Sequence, residues 1–307
     1  MPPNKRTLLL TLDAFGTLFH PRHPIPEQYA SAAHIFGLPK AVITPERLGT
    51  AFKTAFKVQS NALPNYGRDD VLRGRYGGPR QWWEEVIRAS FARAIASENP
   101  HRDVGDIELP EGLVGHLLDR FAGKEGYALF DDAGLFFDRV RGVKKGGLGP
   151  FERVLIGVIS NSDDRVPGVL RSLGVRVGQW RADDGLRLPG FEEREGRGLA
   201  SRGDGDVDDV DLVVTSYEAG EEKPSPRIFN VALRQAKALV GLGGGRDSLG
   251  QWTCVHVGDD YEKDYCAAID AGWGGYFLPR GEDRRRLDGV NMIRSLTDLI
   301  PRLEAYE

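Results

Sequence analysis

The sequence predicts an α/β protein: a doubly wound, Rossmann-like parallel sheet with an all-helical cap domain inserted after its first strand. An apolar strand opens the chain, no strand-like run interrupts residues 25–130, and strands and helices then alternate to the end. Such alternation is typical of a parallel sheet that helices cover on both faces. We therefore predict a discontinuous core, residues 1–19 and 136–307, around a helical cap of residues 20–135.

The predicted cap contains four segments in which apolar residues recur at helical spacing. The third is the strongest, because Trp83, Ile87 and Phe91 lie on one apolar stripe of a helix, which we expect to be buried inside the cap. The four segments are "PEQYASAAHIFG" (26–37), "PERLGTAFKTAFKVQ" (45–59), "PRQWWEEVIRASFARAIAS" (79–97) and "PEGLVGHLLDRFAG" (110–123).

The second half of the chain alternates between short apolar strands and helices. The strands are "RVLIGVIS" (153–160), "DLVVTS" (211–216), "WTCVHVG" (252–258) and "GGYFLP" (274–279), each followed by a helical pattern. Residues 177–209 are instead rich in Gly, Asp and Arg and lack sustained periodicity. We predict that this stretch is a long, partly disordered loop insertion.

Composition and charge argue against several classes of protein. The net charge of −4 gives no electrostatic footprint for nucleic acid, and the longest apolar runs are strand-sized, so no membrane span is expected. Two cysteines make a zinc site unexpected. The opening "MPPNKR" is too short for a signal peptide, so we expect a protein of the cytoplasm or the nucleus.

Polar residues follow or adjoin four regions of the predicted sheet. They are Asp13 with Gly16-Thr17 after the first strand, Ser160-Asn161 after the second, Lys223 before Pro224, and Asp259, Asp260 and Asp264 after Gly258. Ligands of an open α/β sheet bind at the carboxyl ends of its strands. We therefore expect a carboxylate, a hydroxyl, an ammonium and an acidic cluster to meet in one crevice.

These groups suit hydrolysis through a covalent intermediate. A carboxylate such as Asp13 can attack a phosphorus or carbon centre, and water can hydrolyse the product. Ser160 with neighbouring N–H groups can hold a phosphoryl or carboxylate oxygen, and Lys223 can balance negative charge. Asp13 and Asp259 offer the oxygen ligands that Mg²⁺ prefers.

Each group also has a plain structural explanation when it is taken alone. Asp13 suits a turn, Ser160 and Asn161 suit a helix cap, and Lys223 suits a solvated surface. The run "GDDYEKD" suits a helix N-terminus, where acidic residues are favoured. The order of four such groups, each beside a strand, favours the functional interpretation.

That order resembles the four motifs of the haloacid dehalogenase superfamily. "LDAFGTL" is similar to its first motif, "VISNSD" to its second, Lys223-Pro224 to its third and "VGDDYEKDY" to its fourth. The helical block lies where members with a helical cap carry it. The stretches "LPNYG", "WWEEVI" and "SYEAGEEKPSPRIF" point to a narrower subgroup.

The resemblance implies roles for the strand-end residues. Asp13 would be the nucleophile and a Mg²⁺ ligand, with the backbone carbonyl of Phe15 and the side chain of Asp259 as further ligands. Asp260 and Asp264 would support these ligands from outside the metal's direct contacts. The groups expected to act on the phosphate are Lys223, Ser160, Asn161 and Thr17.

Phe15 departs from the phosphatase pattern. Phosphatases of the superfamily carry Asp two residues after the nucleophile, where it protonates the leaving alkoxide and later activates water. Phe15 can do neither, and general acid–base catalysis contributes about 10²–10⁴-fold, so ordinary phosphate monoesters should be poor substrates. Dehalogenases carry Tyr there, because a halide needs no proton, but they lack the metal-binding run retained at Gly258-Asp259.

Two functions of different classes stay open on these observations. The first is a Mg²⁺-dependent hydrolase with weak or narrow phosphatase-type activity on a small phosphorylated substrate, with Tyr66 or His34 of the cap as candidate proton donors. The second is a catalytically impaired binding or regulatory protein whose protein partner would contact the helical block or residues 177–209. Haloacid dehalogenation is least favoured because of Asp259.

Overall fold

A six-stranded parallel sheet forms the centre of the computed structural model, which describes residues 6–97, 107–180, 207–242, 251–281 and 287–306. The strands in chain order are β1 (Arg6–Leu12), β2 (Phe19–Pro21), β3 (Tyr127–Leu129), β4 (Phe151–Ser160), β5 (Val177–Trp180), β6 (Val210–Thr215), β7 (Gln251–Gly258) and β8 (Gly274–Phe277). The sheet has the order β5-β6-β4-β1-β7-β8, and all its pairings are parallel. The predicted fold class is confirmed.

Helices surround this sheet and form the block between β2 and β3. They are α1 (Ile25–Ile35), α2 (Pro45–Ala62), α3 (Pro64–Leu72), α4 (Pro79–Ala96), α5 (Leu113–Arg120), α6 (Asp131–Gly146), α7 (Val166–Ser172), α8 (Ser216–Ala219), α9 (Arg227–Leu242), α10 (Ala267–Asp270) and α11 (Leu299–Glu304). A π-helix (Tyr261–Cys266) leads into α10, and a 3₁₀ turn (Leu296–Asp298) leads into α11. Within the described ranges, no helix has the length and apolar character that crossing a bilayer requires.

Strand β1 is apolar throughout because both faces of the sheet are covered. Leu8, Leu10 and Leu12 pack with α6, α7 and α11, whereas Leu9 packs on the opposite face with α9 and α10. A near-continuous apolar run is typical of a central parallel strand. Since β1 lies between β4 and β7, its carboxyl end faces the crevice in which open α/β sheets bind ligands.

The helical block has its own apolar cluster, built from α1, α2, α4 and α5. It is not all-helical as predicted, because Tyr127–Leu129 pairs antiparallel with Phe19–Pro21 where the chain leaves and re-enters the core. Strands of three residues are too short to show an alternating pattern. The predicted boundary at residue 136 falls inside α6, whose Ala133 already packs with the sheet.

The interpretation of residues 177–209 as a loop is wrong at its start. Val177–Trp180 forms the edge strand β5 beside β6. Four residues that include a glycine carry too little pattern to be recognised as a strand. At the other end, Asp209 is buried and accepts hydrogen bonds from Arg141 Nε and Nη2 at 2.7 and 2.9 Å. The middle of the stretch, 181–206, lies outside the described residues.

Helix α4 departs from the prediction at one position of its apolar stripe. Ile87 and Phe91 are buried, but the buried tryptophan is Trp82, whose indole N–H donates to the Leu63 carbonyl at 3.0 Å. Trp83 is only partly buried, and its indole N–H donates to Asp163 Oδ2 at 2.6 Å. Trp83 therefore connects the helical block to the core instead of lying wholly inside the block.

Candidate active site

Asp13 lies directly after β1, at the carboxyl edge of the sheet. Its backbone N–H donates to the Val257 carbonyl of β7 at 2.9 Å, which continues the ladder past the end of the strand. The side chain is buried. The first predicted site residue is therefore a carboxylate held at the bottom of the crevice between neighbouring strands.

Lys223 reaches this carboxylate from the loop between α8 and α9. Its Nζ donates to Asp13 Oδ1 at 2.6 Å, to Asp264 Oδ1 at 2.5 Å and to the Ile159 carbonyl at 3.0 Å. Burial alone would lower the pKa of Lys223, but the charges of Asp13 and Asp264 raise it. Lys223 is therefore a buried, charged ammonium.

The side-chain amide of Asn161 binds the backbone of Lys223. Its Oδ1 accepts from the backbone N–H of Lys223, and its Nδ2 donates to the backbone carbonyl of Lys223, both at 2.7 Å. Ser160, the residue before it, is buried at the end of β4. Both belong to this edge of the sheet as expected, while phosphate binding by either stays a prediction.

Asp259 lies on the other side of Asp13 and is held by the first loop. Thr17 is buried, and its hydroxyl donates to Asp259 Oδ1 at 2.9 Å, so Thr17 supports this carboxylate. Gly16 has a φ of +91°, and a Cβ at this position would lie 2.6 Å from Asp259 Oδ2. The turn therefore needs glycine both for its backbone conformation and for the approach of Asp259.

Asp264 and Asp260 have different positions although both belong to the same run. The Asp264 side chain packs against Gly258, where a Cβ would lie 2.1 Å from its carboxylate, and its Oδ2 accepts from the Asp260 N–H at 2.9 Å. The side chain of Asp260 instead caps the π-helix, accepting from the N–H groups of Glu262 and Lys263. Asp264 thus joins the site directly, and the carboxylate of Asp260 does not.

The site holds more acid than base. One carboxylate oxygen each of Asp13, Asp259 and Asp264 lies within 4.8 Å of the others, and among the described residues Lys223 is the cation that pairs with Asp13 and Asp264. Burial raises the pKa of Asp13 to about 7 although Lys223 lowers it, and burial likewise raises the pKa of Asp259. Burial would also raise the pKa of Asp264, but Lys223 and the hydrogen bond from His256 hold it well below its usual range.

Phe15 stands at the mouth of the crevice. Its side chain is 45% exposed, and its ring meets those of Phe19 and Tyr127 edge-on, with centroids 6.1 and 6.0 Å apart. Phe19 and Tyr127 belong to the short β2–β3 ribbon at the base of the helical block. Phe15 therefore packs on this ribbon at one side and leaves nearly half of its ring to solvent.

The two candidate proton donors of the cap differ in their surroundings. His34 Nε2 lies 2.8 Å from the Ile43 carbonyl, within the helical block. Tyr66 packs its ring against Trp82 and Tyr217, and burial raises its pKa far above the usual range. Tyr66 therefore keeps its proton, and His34 is engaged by a carbonyl of the helical block. Neither residue is supported as the proton donor to a leaving group.

A second ion pair, with a buried carboxylate and a partly buried guanidinium, lies beside the site and is not indicated by the sequence. Asp163 is buried and accepts from Arg165 Nε and Nη2 at 2.9 and 2.8 Å. The Arg165 guanidinium lies 4.8 Å from the Trp83 ring and donates to the Phe121 carbonyl at 3.2 Å. The only sequence signal is an acidic residue two positions before an arginine after a strand, which is common in loops.

Comparisons with known proteins find chains that are similar to this one over most of its length. No family model matches the chain. It is 29% identical over 304 residues to haloacid dehalogenase-like hydrolase domain-containing protein 3 of Homo sapiens, covering 97% of this chain and 94% of that protein. It is 25% identical over 271 residues to the rhythmically expressed gene 2 protein of Drosophila melanogaster, covering 87% and 81%.

A solved structure shows a similar fold. A 2-haloacid dehalogenase from Pseudomonas syringae pv. tomato DC3000 superposes with a TM-score of 0.50 at 16% sequence identity and covers 98% of each chain. The fold and the full-length relatives confirm the resemblance to the haloacid dehalogenase superfamily. Within it, the subgroup indicated by the sequence is the one that contains the human and Drosophila relatives named above.

Proposed function

We propose that this protein is a phosphatase-type hydrolase of narrow substrate range that uses Asp13 as its nucleophile. The observation that carries the proposal is the buried Asp13 carboxylate, held through Oδ1 by the Lys223 ammonium at 2.6 Å at the carboxyl edge of the sheet. Small phosphorylated molecules are the proposed substrates. The net charge of −4 favours no nucleic acid partner.

The first half-reaction transfers a phosphoryl group to Asp13. Lys223 fixes Oδ1, so Oδ2 is the oxygen available to attack phosphorus while the bond from phosphorus to the leaving oxygen breaks. The product is an acyl phosphate on Asp13, and the electron pair leaves with the departing oxygen. Ser160 and nearby backbone N–H groups would hold the transferring phosphoryl oxygens, and Lys223 balances their charge.

The second half-reaction restores the carboxylate. Water attacks phosphorus, the bond from phosphorus to the Asp13 oxygen breaks, and inorganic phosphate leaves. No carboxylate stands at position 15 to activate this water or to protonate the leaving group of the first step. We therefore expect activity toward phosphates whose leaving groups need little protonation, and weak activity toward alkyl monoesters.

The donor set fits Mg²⁺. Among hydrogen bonds between described side chains, Oδ2 of Asp259 is unused, since Thr17 binds its Oδ1. Carboxylate oxygens suit this ion. Asp13, Asp259 and the Phe15 carbonyl would hold it, and when bound it would offset charge on the phosphate and orient it against Asp13. Asp264, already engaged by Lys223, would act as support.

A substrate panel with Mg²⁺ tests the reaction. Purified protein should hydrolyse some aryl or acyl phosphates, and Asp13→Asn should lower turnover by at least about 10³-fold, because no other group replaces the nucleophile. Equal turnover by the two proteins would assign the activity to a contaminant. Absence of turnover across the panel would overturn the hydrolase proposal.

Titration with Mg²⁺ tests the metal ligands separately from turnover. Asp259→Asn should weaken Mg²⁺ binding by at least about 10-fold, since it replaces a charged ligand. Asp260→Asn is the matched control, because that side chain caps the π-helix outside the cluster and should leave Mg²⁺ affinity unchanged. Equal affinity of Asp259→Asn and the parent would remove Asp259 from the proposed site.

One observation favours a second function. Phe15 presents a half-exposed aromatic ring where a phosphatase of this superfamily carries its general acid. An aromatic surface beside an impaired centre suits a binding or regulatory protein. Lack of turnover together with stoichiometric co-purification of one protein that Phe15→Ala releases would favour this alternative.

A further inference from the structure

Directly beneath the site, a polar pair lies inside the sheet. Thr11 of β1 and His256 of β7 are partners in the parallel register, and both are fully buried. Their neighbours along each strand are apolar, namely Leu10, Leu12, Val255 and Val257. Burying a polar side chain costs free energy unless the side chain is hydrogen-bonded, so this pair is expected to have hydrogen-bond partners.

The sheet makes room for this pair. On the other side of Thr11, its partner in β4 is Gly157, where a Cβ would lie 2.9 Å from Thr11 Cγ2. The glycine therefore allows Thr11 to occupy this position. On the far side of the pair, the Phe229 ring of α9 packs edge-on against the His256 ring, with the two ring centroids 5.2 Å apart. The contact covers this side of the imidazole with an apolar group.

The contacts define which nitrogen carries the proton. His256 Nε2 lies 3.2 Å from Asp264 Oδ1, an ionised oxygen that already accepts from Lys223, so Nε2 must donate. Burial lowers the pKa of His256, which keeps the ring neutral. Nδ1 is then an acceptor, and the Thr11 hydroxyl donates to it at 2.9 Å, the nearer of its two acceptors, since the Val255 carbonyl lies 3.3 Å away.

We infer that His256 is a positioning residue: supported by Thr11, its Nε2–H fixes Asp264 Oδ1 and thereby places the Lys223 ammonium against Asp13. The chain of contacts runs from Thr11 through His256, Asp264 and Lys223 to Asp13, each step a hydrogen bond of 3.2 Å or less. The inference rests on the proposed function only in taking Asp13 as nucleophile.

The competing explanation is that the pair merely satisfies its own polar groups in the core. A measurement on the substrate-free protein separates this explanation from the inference. Nitrogen-15 NMR of the imidazoles should show the Nε2–H tautomer for His256. Lys223→Met should shift the His256 Nε2 resonance, because the Asp264 oxygen it contacts loses its second donor. An Nδ1–H tautomer, or a spectrum insensitive to Lys223→Met, would overturn the inference.

A double-mutant cycle tests the effect on catalysis. His256→Leu should lower kcat by about 10- to 100-fold through misplaced Lys223, and His256→Gln, which keeps an N–H donor, should recover most of it. In the Lys223→Met background, His256→Leu should change kcat by less than about 2-fold, because the group it positions is gone. Equal losses in both backgrounds would identify a structural role.

Two further measurements keep the outcomes separate. If His256→Leu does not fold, Thr11→Val removes the hydroxyl that holds the ring and should reproduce the loss of kcat in weaker form. If the parent shows no turnover on any phosphate, the proposed function fails. The NMR result alone then decides the contact network.

Discussion

Two groups of acid and base lie side by side at the carboxyl end of the sheet, and they are built differently. The site cluster, Asp13, Asp259 and Asp264 around Lys223, sets three carboxylates against one ammonium. The clamp, Asp163 and Arg165 with the Trp83 indole, sets one carboxylate against one guanidinium.

The difference appears in the pKa of each central aspartate. Burial would raise both, but in the clamp Arg165 outweighs burial and lowers the pKa of Asp163. In the site cluster Lys223 is shared with Asp264, and the pKa of Asp13 remains raised, at about 7. A balanced pair of this kind satisfies its own charge, whereas a site with unbalanced charge is suited to a ligand that supplies the missing charge.

Removing one carboxylate from each group should produce the largest contrast in stability. Asp163→Asn leaves the Arg165 charge without its partner and should lower the free energy of unfolding by about 3 kcal/mol. Asp13→Asn leaves Lys223 paired with Asp264 and relieves a buried negative charge, so it should cost little or raise stability in the absence of divalent metal. Chemical denaturation of both variants measures the contrast.

The pH dependence of the same variants checks the cause. Because the folded pKa of Asp163 is lowered, its contribution is fully present above the unfolded value of about 4 and is lost as the pH falls through the folded value. The gap between parent and Asp163→Asn should therefore be constant from pH 7 to about 5 and narrow below about 4. A gap that does not change with pH would mean that packing, and not charge, causes the loss.

Phe15 offers the next test, because it lies beside the site cluster without adding to its charge. Phe15→Asp should raise kcat/KM for alkyl phosphates by about 10²-fold, the low end for a placed general acid, since the surrounding ring contacts do not suit a carboxylate. The gain should be larger for alkyl than for aryl phosphates, because poor leaving groups depend most on protonation.

The matched control for this substitution is Phe15→Asn. It removes the same contacts with Phe19 and Tyr127 but supplies no acid, so its activity should stay at the parental level. A folded Phe15→Asp protein with no advantage over Phe15→Asn on alkyl phosphates would show that the missing acid is not the limiting defect. The binding-protein alternative would then be favoured.

Much of the site cluster could be predicted from sequence, because polar residues after apolar strands share one edge of a parallel sheet. Asp13 and Asp259 directly follow β1 and β7 as that rule requires, whereas Lys223 comes from the loop between α8 and α9 and Asp264 from the π-helix. The rule predicts position and not orientation. Asp260 turns to cap the π-helix and Asn161 turns to hold the Lys223 backbone, since a polar side chain binds whichever unsatisfied backbone group lies nearest.

The clamp could not be predicted for a different reason. Its members come from α4 and from the loop after β4, eighty positions apart between Trp83 and Asp163, and no local pattern links them. The periodicity of α4 fits burial of either tryptophan, because Trp83 shares a face with Ile87 and Trp82 shares one with Val86, and both of these partners are buried. The contacts that distinguish the two lie outside the helix, since Trp82 donates to the Leu63 carbonyl and Trp83 donates to Asp163.

The smallest expected effect concerns the third member of the clamp. Trp83→Phe keeps an aromatic ring near Arg165 but removes the indole N–H that donates to Asp163 at 2.6 Å. A hydrogen bond to an ionised acceptor contributes about 1.5 kcal/mol, so the free energy of unfolding should fall by about that amount.

Trp82→Phe is the control, because its indole N–H donates to a neutral backbone carbonyl and does not contact Asp163. In the Asp163→Asn background the cost of Trp83→Phe should fall to about half, since bonds to charged groups are about twice as strong as neutral ones. The cost of Trp82→Phe should be the same in both backgrounds to within about 0.5 kcal/mol. If the cost of Trp83→Phe were also the same in both backgrounds, the bond from Trp83 to Asp163 would contribute no charge-dependent stability. The clamp would then consist of Asp163 and Arg165 alone.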